Sequence, residues 1–284
     1  MSTALTEKNP DHESGWTGRL ELEYERFRQD TVLSRNRHKG PLVVQRPLYP
    51  EGKDVCHTCI LHPPGGVVGG DRLEIDVTVK SDASALITTP GATKFYRSGG
   101  RFATQEQHLK VAAEACLEWL PQDAIIFPGA EAGISTRIDL EPGATFMGWE
   151  ILCLGLPVNG KRFTEGQLQT SLSLYREQKV LFLDRLQLHR EEDLSRPSGL
   201  RNYPVTATFI VTNAKEDMLA GVRAIAPHET DALVGATLLH KDLLLIRYLG
   251  FSTFAAQGLF AAIWALLRPQ IINKRAYAPR IWAT

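Results

Sequence analysis

In RLEIDVTVK, Leu73, Ile75, Val77 and Val79 alternate with Arg72, Glu74, Asp76, Thr78 and Lys80. Successive side chains of an extended chain point to opposite faces, so a period of two describes a strand with one face buried and the other in water. The alternation recurs in RLELEYE (Arg19 to Glu25), ISTRIDL (Ile134 to Leu140), LQTSLSLY (Leu168 to Tyr175) and PVTATFIVT (Pro204 to Thr212). The chain is therefore expected to be mainly β. Pro-Gly-Ala appears between such runs at Pro90, Pro128 and Pro142, and Pro followed by Gly suits the central positions of a type II turn. The longer echo PGAT, at Pro90 to Thr93 and Pro142 to Thr145, predicts similar strand connections.

One helix is expected near the C-terminus, where Leu259, Phe260, Ile263, Trp264 and Leu267 fall at helical spacing. Ser252 or Thr253 can cap its start, and Pro269 is expected to mark its end. Apolar nearly all round, it is either buried in its own core, the preferred reading, or covered by another protein. Under the second reading Phe254, Leu259, Phe260, Ile263, Trp264 and Leu267 are partner-binding candidates. The uncharged run from Leu249 to Leu267 contains Gly250, Ser252, Thr253, Gln257 and Gly258, which favours a buried helix over a membrane span.

With 284 residues, 43% of them hydrophobic, the chain can bury a large core, and a single domain over residues 16–284 is expected. Residues 1–15 carry no basic-then-apolar pattern and read as a solvated tail rather than a signal peptide. Thirty-two cationic and thirty-two anionic side chains cancel, which leaves no global field to collect nucleic acid or anionic lipid. Four scattered cysteines do not form a secreted disulfide framework, so reduced thiols and a cytoplasmic location are expected.

Most of the suggestive chemistry lies in CHTCILHPPGGVVGGD, Cys56 to Asp71. On a strand Cys56 and His62 share one face while His57 and Cys59 share the other, and no second CxxC completes a tetrahedral zinc set. A redox CxxC normally opens a helix, and nothing here resembles a helix start. GGVVGGD lacks the Lys-Ser/Thr of a phosphate-binding loop and does not match GxGxxG, so a tight strand connection is the simpler reading. GxSxG and HExxH are also missing. Two carboxylates stand out in apolar strands. Asp184 alternates with Val180, Phe182, Leu186 and Leu188, and Glu150 lies within FMGWEILCLG. Each must be hydrogen-bonded, ion-paired or facing internal water. An ion pair, for instance of Asp184 with Arg185 or Arg247, competes with a functional role.

The strings HPPGGVVGGD (His62 to Asp71), TTPGATKFYRS (Thr88 to Ser98), LEWLPQDAIIFPGA (Leu117 to Ala130), GWEILCLG (Gly148 to Gly155) and PRIWAT (Pro279 to Thr284) together resemble the urease accessory protein UreD family, called UreH in some systems. The resemblance extends from about Gly15 to Thr284. It implies a β-rich fold with stacked sheets and few helices, and a non-catalytic cytosolic chaperone for nickel insertion into urease. The implied partners are apo-urease, UreF and, through UreF, the GTPase UreG. It also implies a water-filled internal passage for nickel, which gives Glu150, Asp184 and Asp71 a role, with His62 and Cys56 nearby, and no permanently bound cofactor beyond transient Ni2+. Cys59, and Leu156 and Lys161 in GLPVNGKRF, depart from the family pattern. Two readings from other classes stay open: a metal-dependent enzyme using the Cys56 to His62 cluster, and a nucleotide-binding module built on GGVVGGD.

Overall fold

The computed structural model describes residues 15–225 and 232–283; apart from Gly15, the expected N-terminal tail lies outside them. Its strands form two stacked sheets. The smaller has the order β14 (Lys179–Leu188), β13 (Gln167–Arg176), β11 (Glu131–Leu140), β8 (Ala103–Val111), β5 (Arg72–Val79), β1 (Thr17–Phe27) and β2 (Asp30–Lys39). The larger has β16 (Leu233–Leu239), β17 (Leu243–Gly250), β15 (Val205–Val211), β12 (Thr145–Leu154), β9 (Cys116–Leu120), β6 (Ser84–Thr88), β4 (Cys56–Leu61) and β3 (Val43–Val44), with β10 (Ala124–Ile126) joining β12 to β7 (Thr93–Phe95). From β4 to β13 the chain coils between the sheets, so β5, β8, β11 and β13 stack in parallel in one, and β4, β6, β9 and β12 in the other.

The coil is held in register by three stacked turns. Ala83, Ala115 and Ala144 each donate a backbone N–H to the carbonyl three residues earlier, and each is buried. Cys116 N then bonds the Ala83 carbonyl, and Thr145 N the Ala115 carbonyl. The residue before each alanine has positive φ: Asp82 at 60°, Glu114 at 58° and Gly143 at 75°. The echo PGAT is therefore not the structural repeat. Pro142-Gly143 belongs to this stack, whereas Pro90 lies between β6 and β7 and Gly91 is not left-handed. What recurs is a left-handed residue followed by a small buried one, which Asp and Glu satisfy as well as Gly does.

The alternating apolar residues fill the space between the sheets, where Leu20, Leu73, Val77, Leu109, Ile138, Leu168 and Leu174 meet Leu117, Phe146 and Leu154. The larger sheet is also covered on its other side, by α2 (Glu216–Ile225) and α3 (Thr253–Ile272). This double burial explains why β9 and β12 read as continuous apolar runs rather than alternating ones. A short helix, α1 (Glu192–Ser195), follows β14.

Helix α3 differs from expectation in two ways. Ser252 Oγ caps its start by accepting from Ala255 N, but the helix runs through Pro269 to Ile272 and stops where Asn273 turns left-handed at φ 54°. Arg268, fully buried one residue before the proline, fixes the last turn. Its guanidinium meets Glu118 at 2.9 Å and both oxygens of Glu51 at 2.7 Å, while Glu51 binds His57 Nε2 at 2.6 Å. Trp264 Nε1 donates to the same Glu118 carboxylate at 2.6 Å. The second difference concerns partners. Leu259, Phe260, Ile263, Trp264 and Leu267 are buried against the larger sheet, so they are core residues and not a free binding face; Phe254 alone of the six remains exposed, at 85%. By length and composition α3 could cross a membrane; in this fold its apolar stripe packs on the sheet.

Burial penalises the Glu51 carboxylate, but hydrogen bonds from His57 and Arg268 overcome this and hold its pKa down at about 2. Arg268→Ala leaves Glu51 and Glu118 without their shared cation, and a buried charge stripped of its partner costs about 3–5 kcal/mol. Urea unfolding should show a loss of that size, compared with less than about 1 kcal/mol for breaking the exposed Arg72–Glu106 pair by Arg72→Ala.

Candidate functional site

Inward-facing positions between the sheets are largely apolar, and polar side chains gather on one register row, with Gln105, Thr170 and Thr206 two residues away from it on their strands. In the smaller sheet Gln107 of β8 lies beside Thr136 of β11, Thr136 beside Leu172 of β13, and Leu172 beside Asp184 of β14. In the larger sheet Glu150 of β12 lies beside Thr208 of β15, and Thr208 beside Arg247 of β17. Strand neighbours are about 4.8 Å apart, so Glu150 and Arg247 are roughly 10 Å apart along this row. The two rows face each other and meet side chain to side chain. Gln107 Nε2 donates to Thr136 Oγ1 at 2.9 Å, Thr136 Oγ1 donates to Glu150 Oε1, and Arg247 Nη2 bonds Asp184 Oδ2 at 2.9 Å.

Two cavities open along this lane. The first, about 170 Å³, runs from a rim at Pro64, Gly65, Pro90 and Gly91, past His62, Lys94, Trp119, Gln105 and Gln107, to Glu150. The second, about 40 Å³, continues from Glu150 and Leu152 past Thr170 and Thr208 to Asp184. Glu150 thus stands on both. Gly148, two residues before it on the same face, leaves room that a Cβ would fill at 2.4 Å from the Phe146 ring. In the first cavity His62 Nε2 and Trp119 Nε1 are buried without a protein partner. Buried polar atoms of that kind are normally satisfied by ordered water, so the cavity is suited to hold it.

Desolvation dominates the electrostatics. Burial raises the Glu150 pKa to about 7; the Thr136 hydroxyl opposes the shift and the Asp184 charge adds to it. Burial also lowers the His62 pKa, against the pull of Asp71, which favours a neutral imidazole able to offer a lone pair. Asp123, on the rim side of the first cavity, is raised by burial as well.

The expected site residues divide accordingly. Glu150, Asp184 and His62 line the two cavities, and Glu150 joins them. Asp184 is paired with Arg247, one of its two expected partners, while Arg185 lies on the opposite face of β14. Asp71 is only 2% exposed and lines neither cavity. Its carboxylate closes the glycine loop by accepting from Val68 N at 3.0 Å and Trp16 N at 3.3 Å. Cys56 is fully buried near Tyr49 and Thr58, away from His62, and burial raises its thiol pKa. Cys59 and His57 face the opposite side of β4, where a separate cavity of about 500 Å³ lies under the C-terminal segment. Among the described residues no three His, Cys, Asp or Glu side chains gather as a metal cage. The glycine loop is no phosphate nest either. Val67 N bonds Lys94 O, Gly70 N bonds Phe102 O and Asp71 N bonds Val68 O, so these donors are engaged within the fold. Gln107, Thr136, Trp119 and Thr208 were not singled out in the sequence. Gln107 and Thr136 carry a usable signal, since each occupies the inward phase of an alternating strand.

Linkage gives the lane a measurable signature. The folded state holds the Glu150 proton up to about pH 7, whereas an unfolded Glu releases it near 4.5. Stability contributed by the neutral form is therefore present at low pH and lost as pH rises from about 4.5 through 7. Glu150→Gln should remove this slope and raise stability at pH 8 by up to about 3 kcal/mol, read from urea midpoints at pH 5 and 8.

Residues 17–283 match the family model described as UreD urease accessory protein. The urease accessory protein UreD of Alcanivorax borkumensis is 46% identical over 275 residues, covering 95% of this chain and 93% of the relative. That of Citrobacter koseri is 45% identical over 271 residues, covering 95% and 92%. That of Pseudomonas putida strain W619 is 43% identical over the full length of both chains. With the match spanning the strands that carry both polar rows, the chain belongs to the UreD family of urease accessory proteins and has a role in urease maturation.

Proposed function

We propose that this protein is a non-catalytic, cytoplasmic chaperone that helps insert nickel into apo-urease, bound to UreF and through UreF to UreG, and that Ni2+ passes along the lane between its sheets. The observation that carries this reading is the position of Glu150 at the junction of the two cavities, with Asp184 at the far end of the second. A borderline divalent ion accepts carboxylate and imidazole ligands. His62, Glu150 and Asp184 offer such groups one at a time, which suits release better than retention. Nickel here is cargo, not a resident cofactor.

For the partner surface, the buried stripe of α3 is replaced by the exposed residues near its start. Phe254 is exposed, Phe251 is 56% exposed, and Val158, in the turn between β12 and β13, is 97% exposed. Exposed apolar side chains that form a contiguous patch mark an interaction site. The urease subunits and UreF are the expected occupants.

The reading is tested with complexes assembled from Glu150→Ala or Asp184→Ala and from Asp71→Ala. The first two should bind UreF and urease as the natural chain does, yet load nickel at a rate lower by about tenfold or more. Asp71→Ala should lower stability, with nickel loading per folded molecule unchanged. Metal content of the product urease, beside thermal unfolding of each variant, decides the matter. If loading falls only where folding or association also fails, Glu150 and Asp184 are structural and the passage is wrong.

A further inference from the structure

The far end of the lane is closed by a contact between the sheets. Asp184 belongs to β14, the edge of the smaller sheet, and Arg247 to β17, next to the edge of the larger, so their 2.9 Å ion pair ties one sheet to the other where the second cavity reaches the surface. Arg247 is 51% exposed and Asp184 33%, and an ion pair this open to water is weak and easily exchanged. The arginine also has somewhere to go. Its register neighbour on β16 is Gly235, where a Cβ would meet nothing within 4 Å, so the guanidinium can swing over that strand without a clash.

Arg247 is the cation at this mouth; at the neighbouring turns the charges largely cancel, with Arg176 paired with Asp242 at 2.8 Å and Glu177 lying between Arg176 and Lys179. A guanidinium placed there repels a bare divalent cation and attracts a carboxylate. Arginine in particular pairs with carboxylates through two parallel hydrogen bonds, a geometry that the single contact to Asp184 leaves unused.

We propose that Arg247 is a latch on the β14 side of the passage, and that a carboxylate-bearing segment of a docked protein opens it by drawing the guanidinium away from Asp184. This rests on the passage proposed above. In the closed state Asp184 is neutralised by Arg247 and unavailable to metal. In the open state Asp184 faces the second cavity as a free carboxylate, and the positive charge that barred the mouth is engaged by the partner. The latch links metal release to the presence of a recipient.

The test uses the complex of this chain with UreF and UreG, loaded with Ni2+ alone and mixed rapidly with a chelator in excess. Arg247→Gln, which keeps length and loses charge, should release nickel several-fold faster than the natural chain, and Arg247→Lys should remain closer to it. A short glutamate-rich peptide should speed release from the natural complex at low salt, lose that effect at high salt, and leave Arg247→Gln unchanged. Equal release from the natural complex and a folded Arg247→Gln, or equal acceleration of both by the peptide, would overturn the latch. Glu150→Leu separates this from failure of the passage. If Glu150→Leu blocks loading of urease while Arg247→Gln leaves release unaltered, the latch alone is wrong; if Glu150→Leu loads urease normally, the passage is wrong and the latch falls with it.

Discussion

Two sheets that close over one another leave an inward-pointing carboxylate nowhere to go except to another polar group or to water. Most of this protein satisfies that constraint by being apolar inside. Along one row it does not. Gln107, Thr136, Asp184, Glu150, Thr208 and Arg247 face inward from six different strands, and hydrogen bonds from Gln107 to Thr136 to Glu150, with the Asp184–Arg247 pair beyond, hold them in one line. Replacing the row with aliphatic side chains would make a simpler core. Its presence creates cavities and a carboxylate with an elevated pKa in the middle of the fold, the features on which the proposed passage rests.

The row depends on the coil. Parallel strands advance without staggering because Ala83, Ala115 and Ala144 stack their turns one above the next, so residues far apart in sequence share one level of the sandwich. A slip of one residue in any of these strands would turn its polar member away from the lane, and in β14 it could bring Arg185 inward. Cores of this kind concentrate specificity in register. The buried Arg268 cluster performs the corresponding task on the other face of the larger sheet, where it ties α3 to β9, to the loop holding Glu51 and to the chain after the helix.

Period-two alternation made the strands legible, and Asp184 stood out because a carboxylate occupied the apolar phase of that alternation. Its partner Arg247 is one of the two arginines expected to pair with it. Glu150 was legible as a carboxylate in an apolar run, but its junction position was not, since that depends on which strands stack. Glu118 escaped notice within LEWL because its partners Trp264 and Arg268 lie about 150 residues away. The family resemblance implies a passage role for Asp71, with Cys56 nearby in sequence, whereas strand geometry sends Cys56 into the core and the glycine loop engages Asp71 with backbone amides. Pro269 looked like a stop because a proline weakens any helix, yet buried ion pairs at Arg268 outweigh the single bond it removes.

Passage of divalent metal along the lane between the sheets, as proposed above, is tested most directly by anomalous scattering at the nickel edge. Crystals of the UreF-bound protein soaked in dilute Ni2+ should give peaks between the sheets, one near His62 and Glu150 and another near Asp184, both lost in Glu150→Ala crystals of the same form. Peaks confined to surface histidines such as His38 or His189, with none between the sheets, would contradict the claim.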